Sequence, residues 1–277
     1  MLLMLKSLVI ALLISSSLQA NVSDKTVEDF LKKSFSANKG IKSLKVKVVS
    51  KTDIESMKGW QALIVDVFAV LKKDGRDVKQ KMVWFTDGKV ISPDLIDLKS
   101  GKSFKDLVSP TFKDEYYKKS NLVYGNENAK HKVAIFSDPL CPFCKSFVPE
   151  AIEYMRKQPN KFAIYYYHFP LPSLHPAAVE LVKAAYVAEV QGKKDVVLNL
   201  YKVKLDNARE RNVSKILKAF NNTFGTNVKI SDINSAEVSK HYEDDLKIAD
   251  SLMVQGTPTI FFDGKIDKSK KKYLKVK

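Results

Sequence analysis

The chain has 277 residues, of which 45% are hydrophobic and 28% charged, close to the averages for soluble globular proteins. This composition excludes a disordered, a collagen-like and a polytopic membrane protein, and the length suits one large domain or two modest ones. Lysine and arginine outnumber aspartate and glutamate by 47 to 31, a net charge of +16. Such a charge suits nucleic acid or an anionic membrane as partner, and equally a basic soluble protein. We favour the basic soluble protein, with no nucleic-acid partner.

Residues 1–20 have the organisation of a cleavable signal peptide. Lys6 precedes an apolar stretch that ends at Ile14, and Leu-Gln-Ala at 18–20 supplies the residues that signal peptidase accepts. The apolar run is shorter than the roughly 20 residues that span a bilayer as a helix. The first cysteine after it is Cys141, far from the cleavage site, which argues against a lipoprotein anchor. The sequence therefore predicts an exported, soluble protein in an oxidising compartment, where a cysteine pair is commonly a redox pair.

Residues 21–98 are predicted to form an N-terminal domain. Apolar residues recur at helical spacing between Ser23 and Phe35, and Ser23 suits the N-cap. Strand-like runs separated by Asp-Gly turns follow, as in an antiparallel meander: 44–49, 60–70 and 78–85. The segment has no cysteine and no histidine. It therefore suits packing or association rather than catalysis.

The rest of the chain is predicted to be a linker followed by a second domain. Residues 99–120 are polar, interrupted by Pro110, and read as one or two helical linker segments. Residues 121–277 give the order strand, Cys-x-x-Cys, helix, strand, several helices and strand, with a helical insertion at about 173–252. The overall expectation is a two-domain α+β protein.

The two cysteines of the chain, Cys141 and Cys144, suggest either half of a zinc site or a redox pair. A zinc site needs two further ligands, and the four histidines show no paired spacing. A redox pair needs a helix start, and Pro142 suits the first helical position, where its missing N–H costs nothing. Cys141 would then lie at the N-cap, where free N–H groups and the helix dipole favour a thiolate. We predict Cys141 as the nucleophile and Cys144 as the resolving thiol, with two merely structural cysteines as the remaining alternative.

A second motif, Thr257-Pro258, precedes the last apolar run. Only X-Pro bonds are readily cis, and a proline at the first residue of a strand removes no needed hydrogen bond. If Pro258 is cis and lies beside Cys141, the Thr257 backbone can pair with an extended substrate. His168 and His175 flank a proline-containing loop, and we interpret both as packed or capped rather than catalytic.

The Phe-Ser-Asp-Pro-Leu-Cys-Pro-Phe-Cys run at 136–144 resembles the periplasmic thiol:disulfide interchange proteins of the DsbC/DsbG type, within the thioredoxin superfamily. Thr257 before the presumed cis-proline fits this type, and residues 84–91 resemble the end of its N-terminal domain. Ile135 departs from DsbA-type oxidases, which keep an acid there. The resemblance implies a thioredoxin fold, a cystatin-like N-terminal dimerisation domain and a V-shaped homodimer.

The resemblance also implies a set of site residues. Cys141 and Cys144 would be catalytic, whereas substrate binding and support of the active site would fall to Thr257, Pro258, Pro142, Phe143 and Asp138. Such chemistry uses no cofactor and no metal. The protein substrates would be unfolded or misoxidised exported proteins.

Three functions remain open at this stage. The first is a disulfide isomerase or reductase, kept reduced by a DsbD-like membrane partner. The second is a dimeric DsbA-like dithiol oxidase, reoxidised by a DsbB-like membrane partner, with which Pro142 is compatible. The third is a periplasmic folding chaperone whose cysteines are secondary. Thr257 and Ile135 favour the isomerase or reductase.

Overall fold

A computed structural model describes residues 22–276 and divides the chain into two compact units, with the boundary in the sequence between Phe104 and Lys105. The predicted signal peptide, residues 1–20, lies outside the described residues. Within 22–276, no helix is both long enough and apolar enough to cross a bilayer.

The first unit packs one helix on an antiparallel sheet. Helix α1 (Asp24–Ser36) begins at Ser23, whose hydroxyl oxygen accepts a hydrogen bond from the amide of Thr26 at 3.1 Å. Four strands follow and pair in chain order: β1 (Ile41–Asp53), β2 (Gln61–Leu71), β3 (Asp77–Thr86) and β4 (Ile91–Ser92). Val27 and Leu31 on α1 share one buried core with valines and a leucine of β1 and β2. The helix and strands lie where the apolar periodicity predicts them.

The second unit contains a five-stranded mixed sheet in the order β5-β7-β6-β8-β9. Its strands are β5 (Leu122–Tyr124), β6 (His131–Ser137), β7 (Phe162–His168), β8 (Thr259–Phe262) and β9 (Lys265–Ile266). Strand β6 is central: it pairs in parallel with β7 and antiparallel with β8. Seven consecutive buried residues make β7 a strand covered on both faces.

Seven helices belong to this unit. They are α2 (Lys105–Val108), α3 (Pro142–Arg156), α4 (Ala177–Val190), α5 (Val196–Leu200), α6 (Val213–Phe224), α7 (Ile230–Ile233) and α8 (Ala236–Ser251). Helix α3 follows β6 directly and covers one face of the sheet, whereas the end of α8 covers the other. Helices α4 to α8 occupy the interval between β7 and β8, and α4 and α6 share a core of their own.

The segment predicted to be a helical linker, 99–120, differs from that expectation. It contains only the four-residue α2 and two short 3-10 turns, Asp114–Tyr116 and Lys119–Asn121. Phe112 is buried, with its ring centroid 5.5 Å from that of Tyr167 and 5.6 Å from that of Phe261. The end of the segment is therefore part of the sheet's aromatic core, because Phe112 fills space over the face opposite α3.

Candidate active site

Cys141 lies at the junction of the central strand and α3. The chain leaves β6 at Ser137, turns through residues 138–140, and enters α3 with Cys141 as N-cap in an extended conformation. Pro142 follows as the first helical residue, where it lacks an N–H that the helix would leave unpaired. The thiol of Cys141 is therefore held at the amino end of a helix, at the edge where β6 ends.

Cys144 lies one turn further along α3 and is fully buried. Burial raises the pKa of the Cys144 thiol to about 11, because a thiolate loses its hydration there. The hydroxyls of Ser137 and Thr257 and the amide of Asp138 act in the opposite direction and lower the pKa of this thiol. Cys144 is thus the shielded thiol of the pair.

The structure brings the Thr257-Pro258 motif to the cysteines. The peptide bond between these two residues is cis, and the sulfur of Cys141 lies 3.7 Å from the carbonyl oxygen of Thr257, to which it donates. The hydroxyl of Thr257 is buried and has no hydrogen-bond partner within residues 22–276. The two motifs found in the sequence therefore form one site, although 116 positions separate Cys141 from Thr257.

Asp138 supports the turn that carries the cysteines. Its carboxylate is completely buried and accepts hydrogen bonds from the amides of Leu140 at 2.7 Å and Leu171 at 2.9 Å. The same oxygen that binds Leu171 lies 2.9 Å from Nδ1 of His175. Asp138 thereby ties the active-site turn to the loop between β7 and α4. His175 is a capped histidine in this arrangement, in line with its interpretation from the sequence.

Phe143 has a different environment from its neighbours. Its side chain is 75% exposed, although it stands between the two buried cysteines in sequence. Pro142 is also exposed. The surface next to Cys141 is therefore apolar and open to solvent.

Three hydroxyl groups near Cys144 were not singled out in the sequence. Ser137 Oγ lies 2.6 Å from Tyr201 Oη, and Tyr201 Oη lies 2.7 Å from Tyr166 Oη. All three residues are buried. Tyr201 follows α5 in the helical insertion, so no short-range motif links it to Ser137. Only the Tyr-rich character of β7 hinted at such a cluster.

A second buried polar group lies on the far side of the sheet from the cysteines. Asp245 on α8 accepts hydrogen bonds from the amide of His168 at 2.8 Å and from the side chain of Asn121 at 2.9 Å. Burial raises the pKa of Asp245 to about 7 and lowers that of His168 to about 3. Across residues 22–276, no three His, Cys, Asp or Glu side chains are grouped so as to hold a metal ion.

Comparisons with known proteins found several similar chains. Among curated proteins, the Na(+)/H(+) antiporter NhaA 1 of Mycolicibacterium gilvum is 28% identical over 147 residues, which cover 52% of this chain and 23% of that protein. The chain thus spans about a quarter of the length of this curated relative.

Solved structures with a similar fold include a thioredoxin-like oxidoreductase from Silicibacter pomeroyi (TM-score 0.43, 23% identity, 54% of this chain and 83% of that one). They also include Proteus mirabilis ScsC in a compact conformation (TM-score 0.44, 23% identity, 56% of this chain and 74% of that one). A third is oxidised BdbD from Bacillus subtilis (TM-score 0.44, 17% identity, 61% of this chain and 98% of that one).

The family itself follows from a broader match. Residues 118–277, more than half of the chain, match the family model described as Thioredoxin. This range includes the whole site: the turn after β6, Cys141 at the N-cap of α3, Cys144 within α3, and the cis-proline before β8. The chain therefore belongs to the thioredoxin family.

Proposed function

We propose that this chain is an exported thiol:disulfide interchange protein that acts on protein disulfides as an isomerase or reductase. The observation that carries the proposal is the contrast between the two thiols. Cys141 lies at a helix start beside the cis-proline, whereas Cys144 is fully buried behind it.

The chemistry takes two steps. In the first, the Cys141 thiolate attacks a substrate disulfide, the substrate S–S bond breaks, and a Cys141–substrate disulfide forms. The sulfur that leaves the substrate departs as a thiolate and takes up a proton. In the second, either Cys144 or another substrate thiol attacks the mixed disulfide. Attack by Cys144 reduces the substrate and leaves a Cys141–Cys144 disulfide, whereas attack by the substrate thiol rearranges it.

The environment of Cys144 favours rearrangement over rapid resolution. Its pKa of about 11 leaves only a small fraction of thiolate at neutral pH, and the thiolate is the attacking species. A mixed disulfide on Cys141 therefore persists long enough for a second substrate thiol to compete. This behaviour suits an isomerase.

The exposed surface beside Cys141 suits unfolded polypeptides as substrates. Phe143 is largely exposed, and so is Leu174 in the loop that Asp138 holds through Leu171 and His175. Exposed apolar side chains next to a reactive site are typical of recognition surfaces. The substrates proposed are unfolded or misoxidised exported proteins, with a DsbD-like membrane protein as reductant.

Two assays and one measurement in cells test the direction of the reaction. We expect the protein to refold a scrambled multi-disulfide substrate, to oxidise a reduced one slowly, and to be found reduced in the periplasm. The alternative is a DsbA-like oxidase with a DsbB-like partner. Such a protein would be oxidised in cells, fast in the oxidation assay and inactive in the refolding of the scrambled substrate. Pro142, which places no N–H after Cys141, is the feature that favours this alternative.

The cystatin-like dimerisation domain is proposed for residues 21–98. In its support, α1 and the four-stranded sheet form their own core, and Phe30 and Val90 are more than half exposed. We expect the mature protein to sediment as a dimer at micromolar concentration. A monomer would contradict this part of the proposal. A protein that prevents aggregation equally well without its cysteines would point to the chaperone alternative.

Export is proposed from residues 1–20. We expect the protein to be recovered from the periplasmic fraction with Asn21 as its first residue, as determined by N-terminal sequencing. An unprocessed chain in the cytoplasm would contradict both the signal peptide and the exported substrates.

A further inference from the structure

Three buried hydroxyls form a hydrogen-bonded chain within the core that also contains Cys144. Ser137 is the last residue of β6, Tyr166 lies on the neighbouring parallel strand β7, and Tyr201 follows α5. The oxygens of Tyr166 and Tyr201 are 2.7 Å apart, and those of Tyr201 and Ser137 are 2.6 Å apart. Cys144 belongs to the same buried cluster as Tyr166 and Tyr201, and the Ser137 hydroxyl acts to lower the pKa of the Cys144 thiol.

We propose that this chain of hydroxyls stabilises the Cys144 thiolate at the moment when Cys144 attacks the mixed disulfide, and so sets the rate of resolution. Ser137 is the catalytic residue in this proposal, because its hydroxyl would donate to a reacting atom, the sulfur of Cys144. Tyr201 and Tyr166 are positioning residues that act through Ser137. The inference rests on the thiol-disulfide exchange proposed above.

The direction of the hydrogen bonds follows from counting protons. Each hydroxyl carries one proton, and a thiolate can only accept. When Cys144 is deprotonated, Ser137 must therefore donate to the sulfur, Tyr201 must donate to Ser137, and Tyr166 must donate to Tyr201. Every proton in the chain then has an acceptor, and each donated bond strengthens the next.

The tyrosines remain donors throughout. Burial raises the pKa values of Tyr166 and Tyr201 well above that of an ordinary tyrosine. Both phenols stay protonated at neutral pH and cannot act as bases. The three hydroxyls therefore stabilise the Cys144 thiolate without taking up the proton that Cys144 releases. Other ionisable neighbours of Cys144 are few: Cys141 lies on the same helix, and the Asp138 carboxylate is engaged by Leu140, Leu171 and His175.

The step balances as follows. Cys144 loses its proton, its sulfur forms a bond to the sulfur of Cys141, and the bond between Cys141 and the substrate sulfur breaks. The substrate sulfur leaves as a thiolate and takes up one proton, which replaces the one that Cys144 released. Two thiol electrons pass to the substrate disulfide, which is reduced while Cys141 and Cys144 are oxidised.

A small aromatic disulfide, 5,5′-dithiobis(2-nitrobenzoate), separates the two attacks in one experiment. Attack by Cys141 on this probe releases a first coloured thiolate, and attack by Cys144 on the resulting mixed disulfide releases a second. Stopped-flow absorbance then gives both rates for the full-length mature protein. The first phase serves as an internal control, since in this proposal Ser137 acts on Cys144 and not on Cys141.

We expect Ser137→Ala to slow the second phase about threefold to tenfold and to leave the first unchanged. A lost hydrogen bond to a charged group lowers the thiolate population, and the greater nucleophilicity of a more basic thiolate offsets part of that loss. Tyr201→Phe should slow the second phase about twofold, because it removes only the donor behind Ser137.

Tyr167→Phe is the matched control. Tyr167 is adjacent to Tyr166 on β7, is equally buried, and donates its hydroxyl to the carbonyl of Tyr116 on the opposite face of the sheet. The Tyr167→Phe substitution removes one buried hydroxyl that is not part of the chain of three hydroxyls. Both phases should therefore keep their wild-type rates.

The pKa of Cys144 distinguishes stabilisation of charge from a mere change of shape. Labelling with 13Cβ-cysteine gives two resonances, because the chain has two cysteines, and the Cys141→Ser variant assigns them. We expect Ser137→Ala to raise the pKa of Cys144. An unchanged second phase, or a slower second phase with an unchanged pKa, would overturn the proposal. Since this titration needs no substrate, it tests the hydroxyl chain even if the proposed exchange activity fails.

Discussion

The carboxylate of Asp138 and the imidazole of His175 lie 2.9 Å apart, and the carboxylate has no exposed surface. Asp138 belongs to the turn that carries the cysteines, whereas His175 stands at the end of the loop before α4. One buried side chain thus fixes the relative position of two segments that are 37 residues apart. The precision of the site depends on this pair.

Replacing Asp138 by asparagine should destabilise the protein strongly. The variant keeps the shape of the side chain but puts an NH2 group in place of one carboxylate oxygen. The buried amide of either Leu140 or Leu171 then faces a donor instead of an acceptor. We expect the free energy of unfolding to fall by about 3 kcal/mol. Asp263→Asn is the control: Asp263 also accepts from a histidine, His131, at 2.9 Å, but its side chain is 43% exposed. That variant should lose less than about 1 kcal/mol in denaturant titrations.

The roles of the two cysteines predict opposite outcomes for their serine variants. Cys141→Ser should reduce the rate of disulfide exchange to that of the uncatalysed reaction, because the attacking thiolate is lost. Cys144→Ser should still attack and should accumulate mixed disulfides with substrate, since nothing on α3 then resolves them. Intact-mass spectrometry of acid-quenched reactions measures both species. Accumulation in Cys141→Ser rather than Cys144→Ser would reverse the assignment.

His168 should make the protein less stable in acid. Because burial lowers its pKa to about 3, the unfolded chain binds a proton near pH 6.5 that the folded protein refuses. Stability is therefore lost as the pH falls from about 6.5 towards 3. His168→Phe removes this loss, and Nδ1 of His168 has no hydrogen-bond partner within residues 22–276 to sacrifice.

The measurement is a comparison of two proteins at two pH values. The quantity compared is the free energy of unfolding of His168→Phe minus that of the wild type. This difference should be about 2 kcal/mol more favourable to the variant at pH 4.5 than at pH 8. Asp245 titrates in the opposite sense, with a pKa raised to about 7, but it is present in both proteins. Parallel pH profiles would show that His168 is protonated in the folded protein.

Gly125 should be among the least replaceable residues of the second unit. It follows β5 with φ of +85°, and a Cβ there would lie 1.9 Å from the carbonyl oxygen of Phe162 on β7. We expect Gly125→Ala to cost more than about 3 kcal/mol, because backbone would have to move. Gly192→Ala has a similar φ of +77° with nothing within 4 Å of the added carbon. Its cost should be about 1 kcal/mol, and thermal unfolding compares the two.

Local patterns carried much of the fold and of the site. The helix start at Pro142 and the strand start after Pro258 follow from the chemistry of proline, which acts on its immediate neighbours. The alternation of apolar residues likewise located α1 and the meander. These signals depend on only a few adjacent residues, and for this reason a single sequence is enough to recognise them.

The remaining parts depend on contacts between distant residues. Tyr201 contacts Ser137 although 64 positions separate them in the sequence, and no local pattern around either residue predicts this contact. Phe112 stands beside Pro110 in a polar segment, and only the packing of β7 and β8 shows why it is buried. Such pairings come from tertiary packing, which overrides local preference.

The central position of β6 has a consequence for how the second unit is built during synthesis. Strand β7 follows β6 after one helix, but β8, its other neighbour, emerges only after the five helices of the insertion. Contacts of such long range form late, because closing a long loop costs chain entropy before the pairing compensates for it. While the chain is being made, both cysteines thus exist beside an unfilled sheet edge. An interruption of synthesis before Thr259 would leave a polypeptide that carries reactive thiols without the strand that encloses them.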